Sequence, residues 1–130
     1  MLPAQIEALA ASRVSFLLVA ECPSDLSEDA TVCGTALFSL CQDVMYGTQP
    51  FGVVENVIVT AALQGSGMGR CLMAHVETLA LEHDCTKLML ASSASRSHAH
   101  EFFRKCGYRG DSKLAFVKYR REFGMATTIE

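Results

Sequence analysis

VIVTAALQGSGMGR occupies residues 57–70 and is followed by a run with helical spacing that extends to about His83. Its β-branched start, its alternating glycines and its helical continuation predict a strand, a tight loop and an exposed helix N-terminus. The unpaired amides of a first helical turn and the positive end of the helix dipole both favour an anion. Residues 57–70 therefore predict an anion-binding loop, and phosphate suits it best.

Composition limits the size and class of the protein. At 130 residues and 50% hydrophobic content, the chain suits one compact domain, 1–130, and is too short for two. A net charge of −3 gives no general attraction to nucleic acid or anionic lipid, so local geometry must hold the anion. No apolar run approaches the roughly 20 residues that span a bilayer, and Glu7 stands where a signal peptide would carry positive charge. We expect a soluble, cytoplasmic protein with no nucleic-acid or membrane partner.

The cysteines are scattered and include no Cys-x-x-Cys pair. Zinc sites normally show clustered ligands, and two histidines two residues apart, His98 and His100, do not share a helical face. We therefore expect no metal and interpret the cysteines as reduced, mostly buried small hydrophobes. The six are Cys22, Cys33, Cys41, Cys71, Cys85 and Cys106.

Periodicity predicts the remaining elements. The predicted helices cover residues 2–11, 67–83 and a last segment whose apolar face is Ala99, Phe102, Phe103 and Cys106, with Gly107 as a left-handed cap. The predicted strands cover residues 15–22, 31–43, 52–60, 87–91 and a final pair, 108–109 with 113–120. Residues 24–29 predict a turn, residues 122–130 a loose tail, and the break at 47–50 an antiparallel hairpin. The fold class is α/β, with a mixed, mostly antiparallel central sheet and flanking helices.

Spacing excludes two phosphate-loop families. A Walker loop ends in Gly-Lys-Ser/Thr, whereas Gly69 is followed by Arg70 and Cys71. A dinucleotide-binding fingerprint also fails, because its third glycine would fall at Arg70 or at Leu72.

The pattern Gln64-x-x-Gly67-x-Gly69 resembles the coenzyme A pyrophosphate loop of the GNAT acetyltransferase superfamily. Its surroundings agree: residues 54–59, VENVIV, resemble that family's fourth strand, and residues 99–108, AHEFFRKCGY, resemble its last helix, usually Ala-x-x-Phe-Tyr-x-x-x-Gly-Phe. The resemblance implies the acyl-CoA N-acyltransferase fold, in which the fourth and fifth strands splay apart.

The resemblance also implies where acetyl-coenzyme A, the co-substrate, binds. The pantetheine arm would hydrogen-bond to strand backbone, which requires only main chain, and the pyrophosphate would lie on the loop amides. A first-turn arginine could add a charge-assisted contact or remain solvated, and both alternatives stay open. The implied coenzyme-binding residues are Val57, Ile58, Val59, Gln64, Gly65, Ser66, Gly67, Met68, Gly69, Arg70, Arg96 and Phe103.

The implied reaction is direct attack of an amine on the thioester within a ternary complex. An alkyl ammonium has a pKa of roughly 10 and must lose a proton before it attacks, so a base is useful. Glu55 is the candidate base, acting directly or through water, because a strand carboxylate in an apolar run is costly unless it faces a wet cleft. A structural ion pair is the alternative. By strand alternation Asn56 points to the opposite face and is structural.

Two positions on the last helix depart from the family pattern. Phe103 stands where many relatives carry a tyrosine that protonates the departing thiolate, and phenylalanine donates no proton. Water, Tyr108, Cys106 or His98 would then supply the proton, or catalysis tolerates its loss; Tyr108 is our candidate. Arg96 stands where an asparagine is frequent and could reach the phosphates of the coenzyme.

The N-terminal part departs as well. Members of the family usually begin with a strand and a helix, whereas here only a short helix precedes Ser15, so we expect the family's first strand and first helix to be missing. The acceptor side would be unusually open, or completed by a partner subunit in a homodimer, or the chain is an abbreviated or degenerate member. We expect an N-acetyltransferase that acts on a primary amine of a small molecule or protein. The alternative is an acetyl-coenzyme A-binding regulatory or degenerate module without turnover.

Overall fold

The computed structural model describes residues 3–23 and 30–125. The chain divides into two compact units, Met1–Ser93 and Ala94–Glu130. The described helices and strands are α1 (Pro3–Ala11), β1 (Ser15–Pro23), β2 (Ala30–Cys41), β3 (Phe51–Val59), α2 (Met68–Glu82), β4 (Leu88–Leu90) and α3 (Ser97–Lys105).

The sheet of the first unit has the strand order β1-β2-β3-β4. β1, β2 and β3 pair antiparallel, and β4 pairs parallel with β3 after the α2 crossover. A parallel neighbour requires such a crossover, because a short turn can only reverse the chain direction. The predicted mixed, mostly antiparallel sheet and the β2–β3 hairpin are confirmed.

One face of the sheet packs against α2. The apolar residues of this helix recur at helical spacing and are buried; they are Leu72, Met73, Val76 and Ala80. They cover Phe38 on β2 and Val54 on β3, which are 0% and 1% exposed. Burial of each such side chain stabilises the fold by about 1.5–3 kcal/mol. This layer fixes the start of α2 against the sheet.

The pairing of β3 with β4 is short. It runs from Gly52 opposite Leu88 to Val54 opposite Leu90 and ends there, whereas β3 continues to Val59. Within residues 3–23 and 30–125, no strand pairs with this edge of β3 beyond Val54. The splayed strand pair implied by the sequence resemblance is therefore present.

An irregularity interrupts the pairing of β2 with β3. Leu37 lies opposite Glu55 and Thr35 lies opposite Ile58, so β3 contains one extra residue. Asn56 adopts φ +53°, a left-handed conformation that asparagine tolerates better than most residues. Strict alternation of side chains, which placed Asn56 opposite to Glu55, fails at this bulge, and both side chains are exposed.

The loop between β2 and β3 begins earlier than predicted. β2 ends at Cys41, and the Asp43 side chain accepts a hydrogen bond of 2.9 Å from the amide of Met45. This bond starts a 3₁₀ turn, Val44–Tyr46, in place of the last residues of the predicted strand. The turn predicted at 24–29 lies outside the described residues.

In the second unit α3 ends as predicted. Gly107 has φ +96°, and its amide donates to the carbonyl of Arg104 at 2.9 Å. The amide of Tyr108 donates to the carbonyl of Phe103 at 3.0 Å. These bonds satisfy the last helical carbonyls, as a left-handed cap does.

The predicted final strand pair, 108–109 with 113–120, is wrong. Residues 108–119 form no strand, and a 3₁₀ turn covers Arg120–Glu122. The segment has the apolar side chains of a strand, but a strand also requires a partner backbone, and none pairs with it among the described residues. Leu114 and Phe116 are accordingly 81% and 92% exposed. Part of the predicted tail, residues 126–130, lies outside the described residues.

The six cysteines are free, but the expectation that most are buried is wrong. Cys33 is buried, Cys71 is exposed and the other four are half-buried. Burial is the main cause of a raised pKa for the Cys85 thiol, followed by the nearby Asp84. In the described part of the chain, no helix has both the length and the apolar character needed to cross a bilayer.

Candidate functional site

The glycine loop, residues 60–67, is tied to the sheet at its first residue. Both the amide and the hydroxyl of Thr60 donate hydrogen bonds to the carbonyl of Cys33 on β2, at 2.8 and 3.0 Å. A 3₁₀ turn, Ala61–Leu63, follows, and the side-chain amide of Gln64 donates back to the carbonyl of Val59 at 3.2 Å. The loop is therefore anchored to the ends of β2 and β3.

Two glycines give the loop its shape. Gly65 has φ +84° and Gly67 has φ +94°, conformations that a side chain disfavours. A Cβ atom at either position would meet nothing within 4 Å. Gly69 lies in the first turn of α2. The glycines thus serve backbone conformation and leave open space above the loop.

A row of backbone amides faces no backbone acceptor at the start of α2. The first amide of the helix that is bonded in the regular way is that of Cys71, which donates to the carbonyl of Gly67 at 3.1 Å. Among the described residues, the amides of Gly67, Met68, Gly69 and Arg70 have no backbone partner. These amides can donate hydrogen bonds to an anion and the dipole of a 15-residue helix favours its negative charge, so this helix start is the candidate anion site.

The free edge of β3 leads into this anion site. On one side of the strand Ile58 pairs with Thr35 and Val59 with Gly34, while the other side carries no pairing in this segment of the described chain. Val57 and Val59 are half-buried and Ile58 is 61% exposed. An extended ligand can add to such an edge through main-chain hydrogen bonds alone.

Glu55 precedes this edge by two residues. Its side chain is exposed and, in the described part of the chain, the carboxylate has no hydrogen-bond or ion-pair partner. The backbone of Glu55 pairs with Leu37 of β2. The structural ion pair considered from the sequence is therefore absent from the described contacts. A solvated carboxylate on a rigid strand can accept a proton directly or through water.

Three further predicted residues belong to the second unit. Arg96 caps α3 with its carbonyl, which accepts a hydrogen bond of 3.1 Å from the amide of His100, and its side chain is exposed. The half-buried Phe103 ring lies edge-on to Phe102 and to Tyr108, with ring centroids 5.4 and 6.3 Å apart. Phe103 and Tyr108 are thus neighbours, and each stays a predicted site residue.

Sequence reasoning missed the contribution of β2. Cys33 and Thr60 are 27 residues apart, and their hydrogen bonds depend on the register between strands. No local pattern marks a carbonyl as the anchor of a distant loop. Asn56 did carry a usable signal, because asparagine is enriched at left-handed positions such as a bulge.

The chain is similar to known acetyltransferases. The acetyltransferase (GNAT) family matches residues 5–108 of the chain. The aminoglycoside N(6')-acetyltransferase type 1 of Stenotrophomonas maltophilia is 30% identical over 92 residues, which cover 69% of this chain and 60% of that protein. The match therefore spans less than two thirds of the length of this relative.

Solved structures share the fold at lower identity. A putative acetyltransferase from Agrobacterium tumefaciens has a TM-score of 0.75 at 22% identity, covering 89% of this chain and 76% of its own. Glucosamine-6-phosphate N-acetyltransferase from Arabidopsis thaliana has a TM-score of 0.73 at 18% identity, with coverages of 90% and 75%. At these identities the likeness concerns the fold alone.

Proposed function

Because the chain belongs to the acetyltransferase (GNAT) family, we propose that it transfers the acetyl group of acetyl-coenzyme A to a primary amine. The observation that carries this proposal is the row of unpaired amides from Gly67 to Arg70, next to the free edge of β3. An anion and an extended arm, joined in one ligand, fit these two features together. Residues 1–130 act in this proposal as one acetyltransferase domain.

The coenzyme is placed by main chain. The pyrophosphate accepts hydrogen bonds from the amides of the glycine loop and of the first turn of α2, and the pantetheine arm lies along residues 57–59. The exposed Arg70 side chain, in the first turn of α2, adds a charge-assisted contact in this proposal. This contact adds to those of the backbone amides, because the helix terminus already offers hydrogen-bond donors to the pyrophosphate.

The chemistry consists of one acyl transfer. The neutral amine attacks the thioester carbonyl, the C–N bond forms and the C–S bond breaks. Glu55 takes the proton of the attacking amine, directly or through a water molecule. The departing thiolate takes up a proton, and the products are an acetamide and free coenzyme A.

The proton for the thiolate is assigned to Tyr108. Phe103 has no donor group, and Tyr108 is its ring neighbour in the second unit. Arg96 is assigned to the phosphates of the coenzyme, which its exposed guanidinium can pair with.

The acceptor is proposed to be a cationic amine. Residues 1–93 contain ten acidic and three basic residues, whereas residues 94–130 contain four acidic and eight basic residues. A negative surface raises the local concentration of a cationic substrate. The relative from Stenotrophomonas, named for an aminoglycoside, supports the same class of acceptor.

We test the proposal in two steps. Isothermal titration calorimetry of the folded protein with acetyl-coenzyme A is expected to show saturable binding, and its absence would refute the assignment. Release of free coenzyme A is then measured with a panel of four acceptors: a polyamine, an aminoglycoside, a small monoamine and a peptide with a free N-terminal amine. Release of coenzyme A that requires an acceptor would show that the protein is an acetyltransferase with turnover.

A coenzyme-binding module without turnover is the second candidate. The observation that favours it is Phe103, which stands where a proton donor is expected. This candidate predicts saturable binding of acetyl-coenzyme A and no acceptor-dependent thiol release with any amine of the panel.

A homodimer is also proposed, since large apolar side chains are exposed in residues 113–125. Phe116 is 92% exposed and Phe123 is 65% exposed. Such side chains are enriched at protein interfaces. Light scattering is expected to give twice the mass of 14.1 kDa.

A further inference from the structure

Cys22 and Cys33 lie near each other in the antiparallel pairing of β1 with β2. Cys22 lies opposite Thr31, and the thiol of Cys33 donates a hydrogen bond of 3.4 Å to the carbonyl of that same Thr31. The strand register explains why the two cysteines lie near each other. Glu21 pairs with Val32 and Ala20 pairs with Gly34, so Cys33 is the extra residue of a bulge.

Strand register and the hydrogen bond from Cys33 to Thr31 place the two thiols near each other, and the thiols differ in access. A side-chain hydrogen bond with Cys22 is the main cause that raises the pKa of the Cys33 thiol to about 11, and burial adds to it. Cys33 is 5% exposed and Cys22 is half-buried. An external reagent therefore meets Cys22 first, with Cys33 behind it.

Cys33 also holds the glycine loop. Its carbonyl accepts both hydrogen bonds from Thr60, the first residue of that loop. A Cβ atom at the adjacent Gly34 would lie 3.0 Å from Leu72 and 3.4 Å from Met68, so β2 touches the first two turns of α2 here. A change in the backbone at Cys33 would therefore reach the candidate anion site through Thr60.

We propose that Cys22 and Cys33 are a modification site, at which a low-molecular-weight disulfide oxidises the two thiols to an intramolecular disulfide that alters the glycine loop. The Cys22 thiolate attacks one sulfur of the reagent RSSR, forms a mixed disulfide and releases RS⁻. The Cys33 thiolate then attacks the Cys22 sulfur and releases the second RS⁻. The two thiol protons complete two RSH, so two electrons pass from the protein to the reagent.

The other thiols supply internal controls. Cys71 is exposed on α2, and Cys41 lies close enough to Cys85 to raise the pKa of its thiol, although burial and Asp84 contribute more. The exposed Cys71 thiol is expected to form a mixed disulfide with the reagent. Modification of Cys71 thus shows that the reagent has reacted with the protein, independently of any disulfide between two cysteines.

The experiment treats the full chain with glutathione disulfide and maps the peptides by mass spectrometry without reduction. We expect a linked peptide that joins Cys22 to Cys33. Cys22→Ser is expected to abolish this link, and Cys71→Ser is expected to preserve it. Glutathione on separate cysteines with no Cys22–Cys33 link, or a link between Cys41 and Cys85 alone, would overturn the proposal.

Hydrogen exchange tests the effect on the loop. Oxidation of the wild-type chain is expected to change the exchange rate of the amides at 60–68 by several-fold, while the half-buried Cys22→Ser variant shows no change with the same reagent. An unchanged rate in a fully linked wild-type sample would refute the coupling. Neither readout uses acetyl-coenzyme A, so the outcome is independent of the proposed function.

Discussion

Gly67 combines a left-handed backbone, φ +94°, with empty space where a side chain would project. A non-glycine residue there costs about 1–2 kcal/mol of backbone energy. A methyl group would also enter the space above the amides that follow. Both effects act on the same few atoms, so conformation and anion binding are linked at this residue.

Gly67→Ala is expected to lower the free energy of unfolding by about 1 kcal/mol and to weaken acetyl-coenzyme A binding at least about tenfold. Denaturant titration and calorimetry measure the two effects. Gly110→Ala is the control, because the nearest atoms to its Cβ, from Arg104, lie at an ordinary 3.6 Å. Equal affinity in the two variants would exclude the loop as the anion site.

Glu55→Gln is expected to lower kcat by about 10²-fold or more, because the amide keeps the shape of the side chain but accepts no proton at neutral pH. Coenzyme affinity is expected to stay within error of the wild type. Glu77→Gln, an exposed position on α2, serves as the matched control. Unchanged kcat in Glu55→Gln would remove this carboxylate from the mechanism.

Phe103→Tyr places a proton donor at the position where the sequence resemblance implies one. If departure of the thiolate limits turnover, the variant is expected to raise kcat by up to about tenfold. Phe102→Tyr is the control on the same helix, since it adds a hydroxyl at the neighbouring position. Equal kcat in wild type and Phe103→Tyr would show that proton donation from position 103 does not limit the rate.

At the scale of elements, the β3–β4 pairing depends on a glycine that lies against an aromatic ring. A Cβ atom at Gly52 would lie 2.4 Å from Phe38 and 2.7 Å from Leu88. Gly52 also donates its amide to the carbonyl of Lys87 at 2.9 Å. The close approach of three strands at this point requires the absence of a side chain.

Gly52→Ala is expected to destabilise the fold by about 1–3 kcal/mol through overpacking. Phe38→Leu removes the ring that the new methyl group would meet, so the double variant is expected to cost less than the sum of the single variants. Denaturant unfolding of the wild type, the two single variants and the double variant gives the coupling free energy between positions 52 and 38. Additive costs would show that the ring does not limit the space.

The order and approximate positions of most helices and strands could be predicted from the sequence. Strand and helix positions in residues 15–90 follow apolar periodicity, because in this part each element has a layer or a neighbouring strand to pack against. Leu114 and Phe116 show the opposite case: the same kind of pattern gave no strand where no partner backbone pairs with it. Pairing is a relation between segments, and one segment cannot specify it.

At the scale of the whole molecule, charge is divided along the chain. Residues 1–93 carry a net charge of −7 from ten acidic and three basic residues, and residues 94–130 carry +4 from four acidic and eight basic residues. The overall charge of −3 hides this division. A cationic acceptor would be attracted to the acidic part through long-range interactions that salt screens.

The KM of a polycationic amine is therefore expected to rise several-fold when the salt concentration increases from about 50 to 500 mM, as the screening length shortens. The KM of a monoamine is expected to change less. Steady-state kinetics with both amines at constant acetyl-coenzyme A measures this difference. Equal salt dependence of the two values would contradict electrostatic selection of the acceptor.

The sequence by itself determined the glycine loop, the α2 helix behind it and the family, because these depend on contiguous residues and their spacing. Only the tertiary structure decided that Asn56 lies in a bulge, that the carbonyl of Cys33 anchors Thr60, and that Cys33 lies near Cys22. These features arise from strand register, which is fixed by packing between segments far apart in the chain. Local propensity contains no information about that register.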